Sequence, residues 1–278
     1  MPRPFVTLTA AIGIAAAACA LGSSPALASA SECGAVASGI PAAASGAIGG
    51  RDFAKLVAGL EGTARDAQVR AELFAGDLPE HLRHLAPVRL AGHGAGGRPV
   101  EITLCVMPDY LAVGSDQDGL LVPMGLPTAL DVAARYGFVL PTPRMVDAIY
   151  DAATVKLVPA PLPAGNQMRS TAYFVRHDQM IEAQRISMHA LPDALTAGHK
   201  KDLVVGDRLA RAPGRVAIYG WHLGPNHPIQ PFSTAHGERY ADYSHGVRLV
   251  SSTVYVDGAP RPIGEVLADP LLGPILAN

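Results

Sequence analysis

Five of the chain's ten histidines fall between positions 199 and 245: His199, His222, His227, His236 and His245. They sit in the segments GHKKD, YGWH and AHGERYADYSHGVRLV, so imidazoles stand beside Asp242, Ser244, several tyrosines and Arg248. Imidazole exchanges protons near neutral pH and also ligates metals, which gives this density a chemical meaning. Used as ligands, His236, Asp242 and His245 would hold a catalytic Zn²⁺ with the fourth position open to water, and His222 would add a ligand or a base. Used covalently, Ser244 would be the nucleophile of a triad in the order His, Asp, Ser, with His199 or His222 and Asp202 before it. Beside His222, His236, Asp242 and His245, Ser244 and Arg248 would orient the substrate. The competing reading makes the same polar groups a buried hydrogen-bond network that fixes the C-terminal strands. Lys200 and Lys201 either hold an anionic group or are solvated charges.

Two other groups have ligand-like spacing. His81 and His84 in EHLRH stand one helical turn apart but lack nearby Cys or further His. Asp116 and Asp118 in GSDQDG read as a tight turn, since a calcium loop of the EF-hand type needs further acidic ligands that the sequence does not supply.

Partial resemblances accompany these segments. The spacing of His236, Asp242 and His245 loosely resembles the zinc ligands of D-Ala-D-Ala metallopeptidases, with a shorter first gap. DYSHG resembles the nucleophile elbow of α/β-hydrolases, whose chain order is not met because no His follows His245. Residues Ser244 to Arg248, SHG-x-R, resemble the motif of L,D-transpeptidases, with His227 as the upstream histidine. Val247 stands where that family has its nucleophilic Cys, so the resemblance implies no acyl-enzyme. PDYLAVGSD, GHKKD, IYGWH and DYSHG together resemble a group of secreted bacterial proteins, a likeness that implies export and no particular activity.

These residues need a scaffold, and its outline is legible. Residues 1–30 have one Arg3, an apolar stretch from Phe5 to Leu21 and A-x-A sites near Ala28 and Ala30, as a cleavable secretory signal does. Cys19 lies in that leader. Cys33 and Cys105 are then the remaining thiols, and in an oxidising compartment they pair as one disulfide. Residues 31–50 are small, Gly-rich and read as a flexible arm, and residues 51–278 form a single domain. Asp52 to Phe74 is periodic for helix with a break near Gly62, and Pro127 to Tyr136 and Pro143 to Tyr150 are helices opened by proline. A further helix is expected over Arg176 to Ile186. Strands are expected at Pro87 to Leu90, Val100 to Met107, Tyr110 to Val113, Leu203 to Val205, Arg215 to Tyr219 and Val247 to Val256. The order is that of an α+β fold, a mixed or antiparallel sheet with helices packed on it.

Lys plus Arg 22 against Asp plus Glu 24 gives a net charge of -2 with no like-charge run, which argues against a nucleic-acid partner. The expectation is a secreted or periplasmic hydrolase with a histidine-centred, zinc-dependent or zinc-free site. It would act on an amide or glycosidic bond of a cell-wall or extracellular polymer, with no transmembrane segment after leader cleavage. The alternative is a non-catalytic secreted binding or envelope protein.

Overall fold

The computed structural model describes Met1, residues 32–34 and residues 39–277. The expected leader, apart from Met1, lies outside the described residues. The arm is less free than its composition suggests. Ile40 is buried, and the Pro41 carbonyl accepts a hydrogen bond from Arg83 at 2.8 Å.

Helices α1 (Gly50–Leu56) and α2 (Gly62–Phe74) open the fold, with the expected break between them. Strands β1 (Ala86–His93) and β2 (Pro99–Val106) follow, then the hairpin β3 (Ala112–Gly114) and β4 (Gly119–Leu121) around the anticipated turn. Helix α3 (Leu126–Tyr136) has proline in its first turn and ends at Gly137, which adopts φ 75° in the left-handed region that glycine enters without a Cβ clash. After β5 (Phe138–Val139), Thr142 caps α4 (Pro143–Ala152) by accepting from the Met145 amide at 3.2 Å. Then come β6 (Val155–Lys156), α5 (Thr171–Ser187), β7 (Thr196–Ala197), β8 (Lys201–Leu203) and α6 (Asp207–Ala210). The chain closes with β9 (Ile218–Gly224), β10 (His227–Ser233), β11 (His245–Gly246), β12 (Val250–Ser251), β13 (Thr253–Val256), β14 (Ala259–Pro262), α7 (Ile263–Ala268) and α8 (Gly273–Leu276).

The result is a mixed α+β fold. Six strands form an antiparallel sheet in the order β14-β13-β2-β12-β5, with β1 on the other edge of β2. Four more run in the order β10-β9-β8-β11, where β11 lies parallel to β8. The strand expected over Val247 to Val256 is broken. At Ser252 the amide bonds to Gly137 and the carbonyl accepts from Ile263, so the ladder on β2 lapses between β12 and β13. One apolar core, including Phe53, Leu73, Val132 and Leu203, lies among α1, α2, α3 and β8. A second, including Leu104, Met145, Ile149 and Val266, lies between the six-stranded sheet and α4, α7 and α8. Cys33 and Cys105 form the expected disulfide, tying residue 33 to the middle of the larger sheet. Among the described residues no helix is long and apolar enough to cross a membrane.

Candidate functional site

The four-stranded sheet carries most of the C-terminal histidines, and its register decides which of them meet. His245, Lys201 and Gly220 are strand partners in one cross-strand row, and Gly246, Asp202 and Tyr219 form the next. Strand partners share a face and neighbouring rows point to opposite faces. In a regular strand His222 would return to the face of Gly220. Gly220 at φ 110° and Trp221 at φ 57° both leave strand geometry, however, and His222 comes to the side of Tyr219. His222 Nε2 and the Tyr219 hydroxyl both reach Asp147 Oδ1 on α4, at 3.0 and 2.8 Å, and the His222 ring stacks on Tyr150. His222 and His245 therefore occupy opposite faces of one sheet. His227 opens β10 and Ser244 directly precedes β11, two strands with β9 and β8 between them, so about 14 Å of sheet or more separates the pair suggested by the transpeptidase resemblance.

On the face of His245 the other expected residues do gather. Asp242 Oδ2 lies 3.9 Å from His245 Nε2, and the His236 ring lies flat on Tyr240 with its centroid 6.4 Å from that of His245. Asp242 is engaged within the protein through both oxygens. Asp242 Oδ1 accepts from both the amide and the hydroxyl of Ser244, at 2.8 and 2.6 Å, while Oδ2 accepts from Tyr240 at 3.0 Å. Among the described residues no three His, Cys, Asp or Glu are grouped so as to hold a metal ion, the set His236, Asp242 and His245 included. Ser244 is fully buried and its hydroxyl is committed to Asp242, which leaves it unsuited to nucleophilic attack. Burial holds His245 neutral, with its pKa lowered to about 4, and neither ring nitrogen has a hydrogen-bond partner.

Arg248 has a different task from the one expected. Wholly buried, it donates to the carbonyls of Met107 and Thr196 at 2.8 and 2.6 Å and lies over the Tyr110 ring. Its guanidinium is 3.9 Å from Asp109 and 4.0 Å from Asp202, and Tyr110 donates to Asp202 at 2.8 Å. Asp109 also bonds Arg185 and lies 3.2 Å from His199. Lys200 is buried as well, donating to the Tyr243 carbonyl at 2.6 Å and lying 3.1 Å from His177 Nδ1. Desolvation lowers its pKa to about 8. This network ties β8 and the chain after β11 to α5 and to the loop at 107–110. It forms a largely buried charged spine.

That spine surfaces elsewhere. Asp109, Tyr110 and Arg185 line a cleft of about 1130 Å³ walled by α1, the β3–β4 hairpin and α5. Its aliphatic wall includes Ala112, Leu121 and Val175. Two groups in it have the chemistry of acid and base. His81 Nδ1 lies 2.7 Å from Asp116 Oδ1, which fixes the tautomer so that Nε2 is the nitrogen left to accept a proton. Burial lowers the His81 pKa against the opposing pull of Asp116. In the same cleft, burial raises the Asp178 carboxyl above the usual carboxylate range against the opposing pull of the Lys200 ammonium, and Glu182, one turn further along α5, is raised by burial as well. Asp178 takes one backbone hydrogen bond, from Leu121 at 3.2 Å. A carboxyl whose burial favours its protonated form and an oriented imidazole thus line one cleft.

Sequence reasoning passed over these residues. Asp178 and Glu182 look like ordinary solvated positions of a helix with no strong apolar stripe, and the sequence presents His81 only in ligand-like spacing with His84. The one available hint was the Asp-rich turn at 114–119 lying 35 residues from EHLRH, and only the fold brings the two together. No family model matches the chain, and neither curated proteins nor solved structures give a match.

Proposed function

We propose that the protein is an exported hydrolase acting on an amide or glycosidic bond of a cell-wall or extracellular polymer, and that it works in the cleft between α1 and α5. The observation that carries this reading is the presence, in one large cleft, of the Asp116-oriented His81 and of the Asp178 carboxyl, whose burial favours its protonated form. His81 Nε2 takes a proton from water as the water oxygen bonds to the electrophilic carbon. Asp178 gives its proton to the leaving nitrogen or oxygen as the old bond breaks. Solvent then carries the proton from His81 back to Asp178, and the site is reset. The disulfide fits an oxidising compartment outside the cytoplasm.

Turnover of a panel of peptidoglycans and polysaccharides tests this. The parent should cleave at least one, and His81→Ala and Asp178→Asn should each lose about 100-fold or more in kcat. Absence of turnover on every substrate, or variants as active as the parent, would overturn it. The non-catalytic alternative draws on the burial of His222, Ser244, His245 and Arg248, and it expects binding to the same polymers without cleavage.

A further inference from the structure

Trp221 is the only tryptophan of the chain, and the fold holds it in two unfavourable circumstances at once. Its backbone lies at φ 57°, a region that bulky residues enter only under constraint. Its indole is 6% exposed, and Nε1–H has no acceptor among the described residues. With positive φ at both Gly220 and Trp221, the indole comes to the face of Lys201, its ring centroid 4.8 Å from the ammonium. Lys201 and His245 are strand partners and share that face.

His245 repeats the pattern. Its ring is buried and neither nitrogen has a hydrogen-bond partner among the described residues, yet a neutral imidazole always carries one N–H. The Lys201 ammonium is the third such donor, since it makes neither a hydrogen bond nor an ion pair with any described residue and rests against the indole. Buried polar groups left unsatisfied are rare in native structures and call for a cause, a bound ion among them. All three groups lack the same thing, an acceptor. Asp242 does not supply it. Its Oδ1 takes the amide and hydroxyl of Ser244, its Oδ2 takes the Tyr240 hydroxyl, and at 3.9 Å from His245 Nε2 it stands beyond hydrogen-bonding reach. The cluster meets the surface through Lys201, His236 and Tyr240, all half-buried, the last two with ring centroids 6.4 and 5.6 Å from that of His245.

We infer that Lys201, Trp221 and His245 together bind the phosphate group of a ligand on this face of the smaller sheet. Lys201 supplies the compensating charge, and the indole and imidazole N–H groups supply neutral donors from two further directions. A phosphate presents its acceptors in a tetrahedral array that suits donors arriving from separate side chains, whereas a carboxylate presents them in one plane. Such a role accounts for the strained backbone at Trp221, because constrained conformations persist where a ligand site requires them. None of the three residues lines the cleft between α1 and α5, so this site stands apart from the hydrolytic reading.

The lone tryptophan makes the test direct, because the nitrogen-15-labelled mature protein has a single indole N–H resonance. Titration with inorganic phosphate at constant ionic strength and neutral pH should move that resonance downfield and saturate in the millimolar range. Dimethyl phosphate, the group as it occurs inside a phosphodiester chain, forms the second arm. Tighter binding of the one or the other tells whether the ligand offers a terminal phosphate or a diester. Lys201→Met and His245→Phe should each weaken binding roughly tenfold, and Lys201→Arg should keep most of it. Lys201 is half-buried, so its variants keep the test valid even if His245→Phe fails to fold. An equal shift with chloride, a shift that never saturates with either phosphate, or a Lys201→Met protein that binds as tightly as the parent would each sink the inference. Turnover in the cleft enters none of these readings.

Discussion

Burial of titratable side chains in this protein pulls stability in two directions as pH falls. His177, His199 and His245 are held neutral by desolvation, His177 down to about 2 and His245 to about 4. The unfolded chain protonates them near pH 6.5 and the native state does not, so stability present above pH 6.5 is lost as pH drops toward 4. Asp202 acts oppositely. Burial raises it to about 6, so the native state keeps a proton that the unfolded chain releases, and stability rises as pH falls from 6 toward 4. Denaturant titrations across this range should show His245→Phe losing less stability on acidification than the parent, by about 1.4 kcal/mol per pH unit, and Asp202→Asn losing more. The reverse order of the two variants would show the protonation states to be misassigned. The density of histidines that drew attention to residues 199–245 was visible in the sequence, but the side of the sheet each one takes was not. That depends on Gly220 and Trp221 both taking positive φ, the second an outlier for a bulky residue that no propensity announces.

Helices were the readable elements because their end signals are local. Pro127 with Gly137, and Thr142 with Pro143, bound α3 and α4 as their side-chain and backbone chemistry dictates. The short strands were not readable, since two-residue segments such as β11 and β12 exist only through partners far along the chain. The same contrast sets an expectation for stability. Gly137→Ala should cost about 1 kcal/mol through backbone strain alone, because its nearest neighbour beyond the adjoining chain is Ser252 Oγ at 3.8 Å. Thr142→Ala should cost about 1 to 2 kcal/mol, since its hydroxyl both caps α4 and bonds the Leu276 carbonyl. Thermal melts of the two variants check both, and a Thr142→Ser protein should recover most of the loss.

At the scale of the molecule, the charged spine joins the smaller sheet to α5, and the disulfide joins the arm to the larger sheet. Closing a loop of 72 residues stabilises the fold by about 4 kcal/mol on the chain-entropy model. Replacing both cysteines by serine should lower the denaturation midpoint accordingly, with the β1–β2 ladder still forming. Covalent pairing of Cys33 with Cys105 was legible because two thiols in an oxidising compartment have few choices. The spine was not, because its members are scattered from Asp109 to Arg248 and each looks like a surface residue in isolation.

Both sulfurs of that bond are sealed from solvent, Cys33 at 2% and Cys105 at 0% exposure. An attacking thiolate must reach a sulfur atom along the bond axis, so dithiothreitol can act only in moments when the arm peels away from β2. Under native conditions the rate of cleavage should level off as reductant is increased, and the plateau would clock how often the arm lets go.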